Sequence, residues 1–143
     1  MNQKAKRFCA YLEAKGITCF EIDEIAGDAM NTVVFRSHMD IAGRSLQTLV
    51  LADSTIFTVL RVLVMPGALT KENETAMRRE VDAINARYKI FKCYFSANGD
   101  LVLAAVLPAP AGEIDGDMVF TLFDGIIRNL KTEYEKLAAL CRR

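Results

Sequence analysis

Two neighbouring segments, Leu46 to Ala52 and Ile56 to Val64, constrain this chain more than any other feature. In a strand, successive side chains point to opposite faces. Leu46, Val50 and Ala52 therefore share one face, with Leu49 and Leu51 on the other. Likewise Ile56, Leu60, Val62 and Val64 stand opposite Phe57, Val59 and Leu63. Only the turn around Asp53-Ser54 separates the two segments, so they pair antiparallel. An antiparallel strand with one wet face alternates apolar with polar residues. These two are apolar on both faces, so the sheet they form is expected to meet dry material on each side.

The flanking sequence completes an α+β reading. Lys4 to Lys15 has helical spacing at Phe8, Tyr11 and Leu12 and ends at Gly16, a suitable C-cap. Ile17 to Ile22 is a short extended segment, and Asp23 to Asn31 a polar loop. Thr32 to Met39 alternates as a half-buried strand and turns through Ile41 to Arg44. After Pro66-Gly67, Thr70 is a plausible N-cap for a second helix running to about Tyr88, with Met77, Val81, Ile84 and Tyr88 on one stripe. A hairpin follows, Phe91 to Ser96 and Leu101 to Leu107 around Asn98-Gly99, a dipeptide suited to a type I′ turn. The last helix starts near Asp115 or Asp117 and carries an apolar stripe from Val119 to Cys141. The expected fold is a single α+β domain over 1–143: an antiparallel sheet of about five strands with three helices, in the order α-β-β-β-α-β-β-α.

Several functions find no support. Lys+Arg and Asp+Glu are both 18, whereas a nucleic-acid binder usually carries a basic excess, because phosphate neutralisation supplies much of its affinity. Arg78, Arg79 and Arg87, with Lys89 and Lys92 beyond, are interrupted by Glu80 and Asp82 and read as a solvated helix face. Glu13 and Lys15 interrupt the N-terminal segment where a signal peptide would be apolar. Arg61, Pro66 and Gly67 break the most apolar stretch, Thr55 to Leu69, so no membrane span is expected. A cytoplasmic protein is expected, with Cys9, Cys19, Cys93 and Cys141 reduced.

No catalytic, cofactor or metal constellation is expected. His38 is the lone histidine, and no cysteine pair has zinc spacing. There is no G-x-S-x-G elbow and no glycine-rich phosphate cradle. Glu113-Ile-Asp115-Gly-Asp117 faintly suggests a calcium loop but lacks its order, and reads better as acidic residues at a helix N-terminus. Asn85 lies off the centre of its apolar stripe. It either ties the helix to nearby backbone or takes part in binding.

Val81-Asp82-Ala83-Ile84-Asn85, Lys92-Cys93-Tyr94-Phe95 and Asn98-Gly99-Asp100-Leu101-Val102-Leu103 together resemble the YbjN-type family of bacterial sensory-transduction regulators. The chain keeps Asn85 of that pattern and departs from it at Asp82, where the family often has Asn. The element order resembles that family too, whose fold is similar to type III secretion chaperones. The resemblance implies an α+β domain that self-associates, holds a protein partner and has no enzyme activity.

The leading expectation is therefore a non-enzymatic protein-binding module, a regulator or chaperone-like protein. Its candidate interaction surface is Leu49, Leu51, Phe57, Val59 and Leu63, with Asn85 as a polar candidate. The partner is expected to be protein, with neither nucleic acid nor membrane involved. A homodimer would bury surface that three helices leave uncovered, against a monomer whose helices cover both faces. The alternative is a small-ligand domain with a pocket between sheet and helices, lined by Phe35, Phe57, Phe91 and Phe95. An enzyme would need His38 beside a carboxylate.

Overall fold

The computed structural model describes residues 1–142. Among the described residues the order is α1 (Gln3–Ala14), β1 (Glu21–Glu24), β2 (Val33–Ile41), β3 (Arg44–Ala52), β4 (Phe57–Met65), α2 (Glu74–Arg87), β5 (Lys92–Phe95), β6 (Leu101–Pro108) and α3 (Gly116–Cys141). The strands form one antiparallel sheet in the order β1-β2-β3-β4-β6-β5. The fold is α+β, with six strands rather than five.

The sixth strand is β1, which joins Glu21 and Ile22, the end of the segment that reads as extended, to Asp23 and Glu24, the start of what reads as a loop. All four of its residues are exposed, so it has no apolar alternation to betray it. Pairing with β2 and an ion pair from Arg36 Nε to Asp23 Oδ2, 2.7 Å, hold it in place. Such a charged edge also discourages further strand addition.

Register fixes the two faces. Phe35, Val50, Leu60 and Ala105 lie side by side across β2, β3, β4 and β6. They belong to one core, which also takes Phe8 and Leu12 of α1, Met77, Val81 and Ile84 of α2, and Val119, Phe123, Ile126, Leu130 and Leu137 of α3. All three helices thus cover the same face. Aromatic rings seat α1 there: the Phe8 ring meets Phe35 edge-on at 4.9 Å and Phe20 at 6.0 Å. A β-bulge between Leu63 and Met65 lets the consecutive Val64 and Met65 both stay buried.

Local chemistry sets the ends of these elements. Asn2 caps α1 by accepting from Ala5 N–H at 2.8 Å. Asp115 caps α3 by accepting from Met118 N–H at 3.0 Å, and Asp117 sits in its first turn. The acidic cluster is thus the helix N-terminus expected of it. Thr70, by contrast, does not cap α2. Thr70 and Asn73 exchange hydrogen bonds, Thr70 N–H to Asn73 Oδ1 at 2.8 Å and Asn73 N–H to Thr70 Oγ1 at 3.2 Å. Residues 71–73 form a turn, and the helix begins after Asn73.

The Asn98-Gly99 turn also differs from expectation. Only Gly99 has positive φ (+79°), and Gly99 N–H donates to Ser96 O at 2.9 Å. A type I′ turn needs two left-handed residues. That arrangement occurs instead at Ala42-Gly43 (φ +50° and +75°), between the paired Ile41 and Arg44.

Helices α1 and α3 meet closely at Gly116, where an added Cβ would clash with the Tyr11 ring. The Tyr11 hydroxyl donates to Asp117 Oδ1 at 2.7 Å, so the ring is fastened where it blocks a side chain. Gly116→Ala is expected to lower stability by about 2 kcal/mol, because the ring must shift in a packed site. Urea unfolding measures it, and an unchanged midpoint would mean that the ring yields freely.

Candidate functional site

The face of the sheet opposite the helices is built from alternate residues of the same strands. One row runs Val34, Leu51, Val59, Val106 across β2, β3, β4 and β6. The next runs Arg36, Leu49, Arg61, Ala104 and on to Lys92 of β5. A third places Val102 beside Leu63 and Tyr94, and Phe57 pairs with Pro108 at the rim. Neighbouring strands lie ~4.8 Å apart, so a row of four spans roughly 15 Å.

Among the described residues no helix covers this surface. Val34 and Val102 are buried yet lie outside the core that the helices close. Leu49, Leu51, Val59 and Leu63 are half-buried, Phe57 is 48% exposed and Val106 53%. The face parity expected from sequence holds for Leu49, Leu51, Phe57, Val59 and Leu63, which the structure brings together on one open, largely apolar face. An uncovered apolar surface of this continuity is the usual mark of an interface.

Arg61 stands in the middle of the face, on β4. In sequence it reads only as a break in an apolar run. Its side chain is half-buried, and its Nε is fully covered with no hydrogen-bond acceptor. It forms no ion pair with any described residue. Beside it is a shallow depression of about 260 Å³ lined by Gln47, Leu49, Arg61, Leu63, Asp100 and Val102. The Asp100 carboxylate is engaged elsewhere, accepting from Gly67 N–H at 2.8 Å.

Asn85 is away from this face. Its amide NH₂ donates to Cys93 O at 3.0 Å, and its Oδ1 accepts from Cys93 N–H at 2.7 Å. Cys93 belongs to β5, the edge strand, so the side chain imitates the next strand and closes that edge. Lys92 adds to the tie, its ammonium donating to Asn85 O at 2.6 Å and Tyr88 O at 3.0 Å. Asn85→Ala leaves the outward N–H and C=O of Cys93 without partners. It is expected to cost about 2 kcal/mol and to speed amide exchange at Cys93. Unchanged exchange there would show that the edge is closed by something else.

The other residues singled out in sequence have local roles. His38 is exposed on β2 and makes no ion pair with a described carboxylate. Phe35, Phe57, Phe91 and Phe95 do not converge on one cavity. Phe35 and Phe91 are core, Phe95 lies under the Arg78 guanidinium, and Phe57 is on the opposite face. Arg78 pairs with Glu74 at 3.1 Å.

Arg87 lies between two buried carboxylates, 3.7 Å from Glu80 and 3.5 Å from Glu133. Lys136 reaches Glu80 at 2.9 Å, and the Tyr88 hydroxyl donates to Glu133 at 2.7 Å. That hydrogen bond raises the Tyr88 phenol above its usual pKa, with burial adding to it. This cluster, missed in sequence because its members lie on separate helices, clamps α2 to α3.

No protein-family model matches the chain, and no curated protein matches it. Among the described residues no group of three or more His, Cys, Asp or Glu side chains is placed to hold a metal ion. None of the described helices is long and apolar enough to cross a membrane.

Proposed function

We propose that the chain is a non-enzymatic protein-binding module acting in the cytoplasm, and that it docks its partner on the open face of the sheet. One observation carries this reading: all three helices lie on one face, while Leu49, Leu51, Val59 and Leu63 line the other with no helix above them among the described residues. The resemblance to YbjN-type regulators and to type III secretion chaperones points the same way, because both imply a domain that holds a protein partner. Fold analogy alone would not carry it.

A homodimer through the same face is the second reading. Apolar side chains on adjacent strands can pack on a second copy as the two sheets of a sandwich do.

The test is the double variant Leu51→Asp with Leu63→Asp, positions that are not cross-strand partners. Both side chains point away from the core, so the variant should melt close to wild type. It should also lose the partner that copurifies with the wild-type chain, or the dimer if sedimentation shows a species of twice 15.9 kDa. A folded variant that keeps the same partner and mass would overturn the reading.

A further inference from the structure

The middle row of the open face carries three cations, Arg36, Arg61 and Lys92, and the central one identifies what would cover it. Arg61 is flanked in register by Leu49 on β3 and Ala104 on β6, neither of which can accept a hydrogen bond from it. The neighbouring cations are already matched. Arg36 is paired with Asp23 at 2.7 Å, and the Lys92 ammonium is bound by two carbonyls of the α2 end. Arg61 alone has a covered nitrogen without an acceptor and no carboxylate partner among the described residues. Any partner that dries this face leaves the guanidinium uncompensated unless it brings an acceptor, and an unpaired buried charge is strongly unfavourable.

We propose that the partner is a protein segment that sets a carboxylate against Arg61 and an apolar side chain into the depression beside it. This rests on the open face being the docking surface. The depression, about 260 Å³, takes apolar walls from Leu49, Leu63 and Val102 and polar ones from Gln47, Arg61 and Asp100, and has room for an apolar side chain beside the guanidinium. Guanidinium and carboxylate match as two parallel N–H···O bonds, which fixes the orientation of the segment as well as its charge.

Two other occupants fit less well. In a second copy related by a twofold through the centre, Arg61 would face its own equivalent. Of the carboxylates that copy could bring, Asp23 and Asp40 lie on β1 and β2 and Asp100 beside the depression; Asp23 is paired with Arg36, and Asp100 accepts from Gly67 N–H. A polyanion such as nucleic acid needs several free cations in a row, and among the described residues this row offers one, since Arg36 and Lys92 are engaged.

Panning a random peptide library displayed on phage against the full chain tests the proposal. Wild type, Arg61→Leu, Arg61→Glu and Leu49→Asp serve as baits. Arg61→Leu replaces an unpartnered cation by an apolar residue and should stay folded, as a thermal melt checks. Peptides enriched on wild type should share Asp or Glu next to an apolar residue. They should bind Arg61→Glu on the order of 30-fold more weakly or worse, and a Lys in place of the peptide's acid should restore binding to that variant.

Peptides that lose binding to Leu49→Asp but not to Arg61→Leu or Arg61→Glu would sink this inference and leave the docking face standing. Peptides indifferent to all three variants would sink the docking face as well. The inference also fails if no Arg61-dependent acidic binder emerges. It fails equally if Arg61→Leu tightens a wild-type dimer, or if an oligonucleotide binds in an Arg61-dependent way.

Discussion

Lys4→Met is expected to lower stability by about 3 kcal/mol, which moves the melting temperature of a chain this size down by about 10 °C. Lys4 is 1% exposed, on the first turn of α1. Its ammonium donates to Thr55 O at 2.8 Å and Phe57 O at 2.7 Å, and stands 3.9 Å from Asp53. It therefore pins α1 to the turn between β3 and β4. Burial lowers its pKa below the usual lysine value, and Asp53 pulls it partly back.

A depressed lysine means that the folded state binds fewer protons than the unfolded chain as pH approaches the unfolded value of 10.5. Its contribution to stability therefore rises over that interval, and the charged form is the costly one below it. Methionine removes that cost but leaves two carbonyls without donors, and the second effect is the larger. A variant as stable as wild type at neutral pH would mean that the charge costs as much as its hydrogen bonds return.

Wild type is expected to lose about 3 kcal/mol more than Cys93→Ala between neutral pH and about pH 11. Burial against the core pushes the Cys93 thiol up from 9.0 to about 12, with Lys92 slightly opposing. A raised pKa contributes stability that is complete below the unfolded value and is lost as pH climbs towards the folded one. The window therefore opens near 9 and closes near 12. Lys4 works in the opposite direction, and Tyr11, held up to about 12 by its bond to Asp117, in the same direction as Cys93. Both are common to the two proteins and cancel in the difference. Chemical denaturation at a series of pH values reads it directly, and parallel curves would contradict the account.

Much of this fold is legible in sequence because strand parity is rigid. Once Leu60 is placed inward, Phe57, Val59 and Leu63 must point outward, and they do. The same rule argues against a pocket shared by Phe35 and Phe57: grouping residues by aromatic type ignored the faces on which they sit. β1 is only half legible: Glu21 and Ile22 end the segment that reads as extended, while Asp23 and Glu24 read as loop, because a wholly exposed edge carries no periodic signal and exists through pairing alone.

Two polar residues show where sequence reading runs out. Asn85 reads as an off-stripe residue on a helix, and only the arrangement of β5 beside α2 reveals that it closes a strand edge. Arg61 reads as an interruption, and only the absence of a helix above β4 turns it into an unmatched charge on an open surface. In both cases the missing information is a long-range neighbour. Propensity and spacing say nothing about that.

The central claim is that protein partners dock on the uncovered face of the sheet. A photocrosslinking residue placed at Leu51, in the full chain expressed in its own cells, tests this most directly. The control is the same residue at Lys131, exposed on α3 in the helix layer. A discrete protein adduct from Leu51 and none from Lys131 is the predicted result. Adducts from Lys131 alone, or none from Leu51, would contradict it.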